Sequence, residues 1–116
     1  MSQFNIGSKA FTAGEDLEAY RRVKLATGSG SQVVYADAGE ACIGVTAAKG
    51  LAGEHITVDL KTSGRTFKLV TADAISAGAD IFGADDGKVA SINGSAIGKA
   101  LEESTDADEV IEGVFV

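Results

Sequence analysis

Glycine recurs along this chain at short intervals, and that spacing constrains the fold more than any other feature. Gly14, Gly28, Gly30, Gly39, Gly53, Gly64, Gly78, Gly87 and Gly94 separate brief runs of β-capable residues. This is the pattern of many short strands joined by tight turns. The clearest run is His55-Ile56-Thr57-Val58-Asp59-Leu60-Lys61, in which Ile56, Val58 and Leu60 share one face of a period-two strand. Ser63-Gly64 then reads as a hairpin turn into Thr66-Phe67-Lys68-Leu69-Val70. Asp80-Ile81-Phe82-Gly83-Ala84, the tight turn Asp86-Gly87 and Lys88-Val89-Ala90-Ser91-Ile92 read as a second hairpin, and residues 32–36 and 110–116 are also β-rich.

Two segments support more than one reading. Thr12-Ala13-Gly14-Glu15 has the spacing of a helix capping box, after which Leu17, Tyr20 and Lys24 would line a helix face. Leu17, Ala19, Arg21, Val23 and Leu25 also alternate as in a strand entered through a loop, which is the preferred reading. Residues 96–103 fit a short helix or a strand equally. A small signature recurs at uneven spacing, as Ala13-Gly14-Glu15, Ala38-Gly39-Glu40, Ala52-Gly53-Glu54 and Ala77-Gly78-Ala79. The uneven spacing argues against a solenoid or propeller. Each glycine is expected to supply positive φ just before a strand.

A length of 116 residues fits one domain, and the apolar content is mainly Ala, Val, Ile and Leu, with no tryptophan. A thin aliphatic core between small sheets follows. The formal charge of −7 repels phosphate and anionic lipid, and Arg21-Arg22 is the sole basic pair. Nucleic acid and membrane are therefore not expected partners. Cys42, the single cysteine, excludes an internal disulfide and lies in the apolar run Ala41-Cys42-Ile43, as a small buried hydrophobe would. Without a signal peptide or membrane span, the chain reads as one folded in a cytoplasm.

No catalytic set emerges. A histidine-based metal site cannot be assembled from the lone His55, which opens an alternating strand as an ordinary surface imidazole. Asp85-Asp86, Glu102-Glu103 and Asp106-Ala107-Asp108-Glu109 are the acidic clusters. The last lacks the spacing and central glycine of a calcium loop and reads as a solvated acidic loop. Gly28-Ser29-Gly30-Ser31 lacks the following Lys-Ser or Lys-Thr of a phosphate-cradling loop. Lys88 lacks the neighbours that lipoyl or biotinyl carriers place beside a modified lysine, and Gly87 pushes it off the hairpin tip. No catalytic residue, cofactor or metal is expected.

Several motifs in order resemble the capsid cement, or head decoration, family of tailed bacteriophages. Ala74-Ile75-Ser76-Ala77-Gly78-Ala79-Asp80-Ile81 is similar to that family's "A-I-x-A-G-D-x-V", Asp86-Gly87-Lys88-Val89 to its "D-G-K-V" hairpin, and Ile97-Gly98-Lys99-Ala100-Leu101 to its "I-G-x-A-L" strand. Cys42-Ile43-Gly44-Val45-Thr46, Ala52-Gly53-Glu54, Ala13-Gly14-Glu15-Asp16-Leu17 and Val23-Lys24-Leu25 extend the likeness over nearly the whole chain. The absence of proline and the Ala79-Asp80 pair depart from the family pattern.

The resemblance implies an all-β fold, a small β-barrel or β-sandwich-like domain with short hairpins and room for one short helical turn. It also implies a structural, non-enzymatic role as a homotrimer on the outer surface of the phage head, with the major capsid protein as partner. The alternative is a phage surface or fibre-associated module that binds host glycan or another surface ligand. Low aromatic content, with Tyr20 and Tyr35 the only tyrosines, counts against it. The expected organisation is an N-terminal arm, residues 1–7, followed by a single β domain, residues 8–116. Phe4 and Ile6 on that arm are candidate anchors to the capsid or a neighbouring copy, or they simply begin the first strand.

Overall fold

A computed structural model describes residues 7–63, 66–92 and 94–116. The described chain is all-β, in two sheets that follow one another along the sequence. β1 (Ser8–Ala13), β2 (Arg22–Leu25), β3 (Gln32–Tyr35), β4 (Gly44–Thr46) and β5 (His55–Leu60) close a barrel in the order β1-β3-β2-β4-β5. β1 returns to pair antiparallel with β5 from Ser8↔Asp59 to Thr12↔His55, and it pairs in parallel with β3. β6 (Phe67–Val70), β7 (Asp80–Gly83), β8 (Val89–Ala90), β9 (Ala96–Ala100) and β10 (Val110–Phe115) form the second sheet, in the order β6-β10-β9-β7-β8. A parallel bridge between Thr71 and Val89, with Ala72 N–H donating to the Val89 carbonyl at 2.7 Å, ties its two outer strands together.

Each sheet has its own core. Phe11, Ala13, Leu17, Val23, Val33, Ile56 and Val58 fill the barrel. Phe67, Leu69, Ile75, Ile81, Val89, Ala100 and Ile111 fill the second lobe, joined by Val45 from barrel strand β4. The molecule is correspondingly long, 42 × 27 × 22 Å. Buried hydroxyls support the loops that cap these cores. Thr71 Oγ1 donates to the Asp106 carbonyl at 3.1 Å and accepts from Glu109 N–H, while Ser104 Oγ donates to the Asp73 carbonyl and accepts from Ile75 N–H.

Several local expectations need correction. β5 and β6 do not form a hairpin: β5 pairs with β1 and β4, and β6 pairs with β10. The segment between them, whose Gly64 lies outside the described residues, carries the chain from one lobe to the other. Turn chemistry is local, whereas strand partners are chosen by the sheets. The expected strand from Leu17 to Leu25 is regular only over β2; Leu17 makes a bridge to Gly50 and Tyr20 takes a left-handed φ of 62°. The ambiguous residues 96–103 contain strand β9.

The Ala-Gly signature is a turn in three of its four copies. Gly39, Gly53 and Gly78 have φ between 79° and 88°, and Glu40, Glu54 and Ala79 each donate N–H to the carbonyl three residues back. Positive φ at the third residue suits glycine. Glu40 and Glu54 also accept, at 2.8 and 2.7 Å, from the N–H of the first turn residue, closing the turn with the side chain. Gly14 differs, since it follows β1. A Cβ there would lie 2.9 Å from Val34 Cγ1, so close approach is its reason for being glycine.

Candidate functional site at the lobe junction

The densest polar chemistry lies where the two lobes meet, and it is built from Arg21-Arg22 and the β7–β8 turn. Arg22 belongs to β2 yet is fully buried. Its Nε donates to the Lys88 carbonyl at 3.1 Å, and its Nη2 donates to the carbonyls of Ala36 at 2.9 Å and Ala84 at 2.7 Å. One guanidinium thus joins a barrel loop to both sides of the second lobe's hairpin. Burial lowers the pKa of Arg22 from its ordinary value, opposed by the adjacent Cys42 sulfur and by Asp37 and Glu40. Arginine remains charged under such conditions, and its planar fork serves several carbonyls at once.

Arg21 completes the junction from the outer side. Its Nη1 donates to the Asp86 carbonyl at 3.0 Å, and its guanidinium lies 5.7 Å from the centre of the Tyr35 ring. The turn responds with its own groups. Asp86 N–H donates to Asp37 Oδ1 at 2.9 Å, Gly87 N–H to the Ala36 carbonyl at 3.1 Å, and Asp85 Oδ1 accepts from Ala38 N–H at 3.1 Å. Asp86 and Gly87 both have positive φ, 59° and 73°, as the expected tight turn requires. A Cβ on Gly87 would stand 2.5 Å from the Arg22 carbonyl oxygen. Glycine here serves both the turn and the contact between lobes.

Beside this junction runs a groove of about 350 Å³, walled by Cys42, Lys61, Ile97, Phe115 and Val116, with Arg22 at its side. A second cavity of about 390 Å³ shares Glu40, Ala41 and Ile97 with it, so the two form one trough. Cys42 is buried as expected, with 7% of its surface exposed. Its surroundings are not wholly apolar, because it lies against the Arg22 guanidinium.

The other sequence candidates are dispersed. His55 is exposed on the barrel, its Nδ1 3.5 Å from Thr12 Oγ1. Lys88 is held in an ion pair with Asp108 at 2.6 Å, away from a carrier lysine's free position. In the acidic loop, Glu109 accepts from Thr105 N–H and Oγ1, and Asp106 from Ala107 N–H. Among the described residues no group of three or more His, Cys, Asp or Glu side chains could hold a metal ion. No helix there is long and apolar enough to cross a membrane. Phe4 and Ile6 lie outside the described residues. Arg22 was not singled out by sequence reasoning beyond its place in the basic pair. Its one available signal was a charged residue directly beside the strand hydrophobe Val23.

Two small β lobes clasped through main-chain carbonyls, with side chains committed to their own backbone, define a structural module. The chain belongs to the phage cement protein family, whose model matches residues 8–114, and it is a structural component of the bacteriophage virion. The fold is shared with the N-terminal base of head fibre protein gp8.5 of bacteriophage phi29. That crystal structure superposes with a TM-score of 0.80 at 17% identity, covering 94% of this chain and 92% of that one. No curated protein matches the chain.

Proposed function

We propose that this protein decorates the outer surface of the icosahedral phage head, binding the major capsid protein and stabilising the shell without catalysing a reaction. The observation that carries the reading is the extent of the family match, from residue 8 to residue 114, which takes in both lobes and the junction between them. A cement must transmit force between the subunits it touches. The Arg22 clasp suits that task, because it makes two small cores respond as one body. The phi29 neighbour, a head fibre base, has the same fold and is compatible with a head-attached module.

The homotrimer that the resemblance implies belongs to this proposal too. The barrel closes on itself and offers no strand edge for pairing between copies, and in the second sheet the end of β6 is bridged to β8 through Thr71 and Val89. A trimer would therefore be made by side chains, and exposed Leu101 and Val110 are available for it.

The test is to mix purified protein with expanded heads that lack it, and to sediment them through sucrose. Saturable co-sedimentation, with heads that resist heat and chelator better than bare heads, is the expected result. Absence of binding to heads, or binding with no gain in shell resistance, would remove the cement reading. Light scattering of the free protein and copy number on the shell then decide the trimer.

A further inference from the structure

We propose that the outer edge of β6 takes up an extended segment of the head's shell protein, which hydrogen-bonds to the Lys68 main chain and sets a lysine or arginine against Glu112. The inference rests on the decoration reading above and names where the shell is held. β6 has a strand partner on one side only, β10. On its other side Val70 N–H donates to the Tyr20 carbonyl at 3.2 Å. Peptide groups alternate in direction along a strand, so Lys68, two residues earlier, presents its N–H and carbonyl to that same side. Among the described residues no strand pairs with it there. An open edge of this kind is a template for another extended chain.

The space beside the edge decides what kind of segment fits. A cleft of about 320 Å³ is lined by Phe67 and Lys68 of β6, Val45 and Thr46 of β4, and by Tyr20 and Glu112. Tyr20 has a left-handed φ of 62°, a conformation that is costly for any residue with a Cβ. The tyrosine kept there gives its carbonyl to β6 and its ring to the cleft. Lys68 Nζ lies 5.8 Å from the centre of that ring, rather than on Glu112, its cross-strand neighbour. Among the described residues the Glu112 carboxylate has no ion-pair partner, which suits a cationic side chain on the incoming segment. A second copy is a poor occupant. Two β6 edges meeting antiparallel about Lys68 would set lysine against lysine, and each chain carries a net charge of −7. A basic segment of another protein meets neither penalty.

Lys68→Pro is the direct test, because proline removes the N–H on the open side and leaves the bonds from β6 to β10 in place. Lys68→Thr is its control, keeping the N–H and losing the charge. Both are titrated onto expanded heads that lack the protein, with sedimentation as the readout. Lys68→Pro should bind about tenfold more weakly than the unaltered protein, and Lys68→Thr within about threefold of it. Glu112→Gln should weaken binding by about two- to fivefold and reduce its dependence on salt. A second measurement needs no variant: the Lys68 amide should exchange at least about tenfold more slowly on heads than in the free protein. Head binding by Lys68→Pro equal to that of the unaltered protein, or a Lys68 amide as open on heads as in solution, would overturn the proposal and leave decoration standing. Self-association that Lys68→Pro abolishes would assign the edge to a second copy and overturn it too. An unaltered protein that does not bind heads would remove the decoration reading and this one with it.

Discussion

The two lobes solve the same problem with unequal means. The barrel closes through continuous strand pairing, β1 to β5 alone running over five residue pairs, and its core comes entirely from its own strands and loops. The second lobe is an open sheet whose outer strands meet at the Thr71–Val89 bridge; it borrows Val45 from the barrel, and its hairpin is held by Arg21 and Arg22. The difference teaches that the barrel carries its own stability, while the second lobe depends on the junction. Damage to the clasp should be felt first in residues 67–115.

The largest effect is expected from Arg22→Met. It removes three charge-assisted hydrogen bonds, to the Ala36, Ala84 and Lys88 carbonyls; Gly87 and Ala84 N–H still serve Ala36 and Lys88, and the loss costs about 3–5 kcal/mol. Urea unfolding should show the loss, and amide exchange should place it mainly in β7, β8 and β6. Uniform loss across both lobes would break the asymmetry.

Gly87→Ala comes next and is best read against Gly28→Ala. Both glycines have φ near 75°, but a Cβ at Gly28 meets nothing within 4 Å, whereas at Gly87 it meets the Arg22 backbone. The left-handed conformation alone costs roughly 1–2 kcal/mol for a side chain. Gly87→Ala should therefore exceed Gly28→Ala by about another 1–2 kcal/mol, from the forced separation of the lobes. Equal melting temperatures for the two variants would deny the junction its role.

The smallest effect is electrostatic. Hydrogen bonding to Lys24 in the barrel lowers the pKa of Glu40 below its ordinary 4.5, and hydrogen bonding to Lys88 in the second lobe lowers that of Asp108 below 3.8. A carboxylate with a depressed folded pKa stabilises the fold above its unfolded pKa, and that contribution is lost as pH falls through the folded value. Acid below about pH 4 should thus loosen both pairs. Because Lys88 leads into β8, loss of its pair with Asp108 should be felt in the second lobe. Carboxyl NMR titration with amide exchange at pH 3 checks this, and Asp108→Asn should flatten the second lobe's response. An unchanged response would assign the acid effect to other groups.

How much of this was legible in the sequence depends on how local the cause was. The Asp86-Gly87 turn and the Ala-Gly turns could be read directly, since a few residues determine them, as could the Ile56-Val58 face of β5. The division into two lobes could not, because Ser63-Gly64 looks like any hairpin turn until the partners of β5 and β6 are known. Arg22 was hidden for the same reason. A charged side chain in a short strand looks solvent-facing, and two of the three carbonyls that hold it come from residues more than sixty positions away. Gly14 was misassigned because a tight contact and a positive φ both call for glycine.

The most direct measurement of the central claim, that a clasped two-lobed body cements the head, is cryo-electron microscopy of expanded heads saturated with the protein. Regular density is expected on the outer surface, bridging neighbouring capsid subunits, with both lobes fitting as one 42 × 27 × 22 Å body. Bare outer surfaces, or attachment through one lobe with the other displaced from the junction, would contradict it.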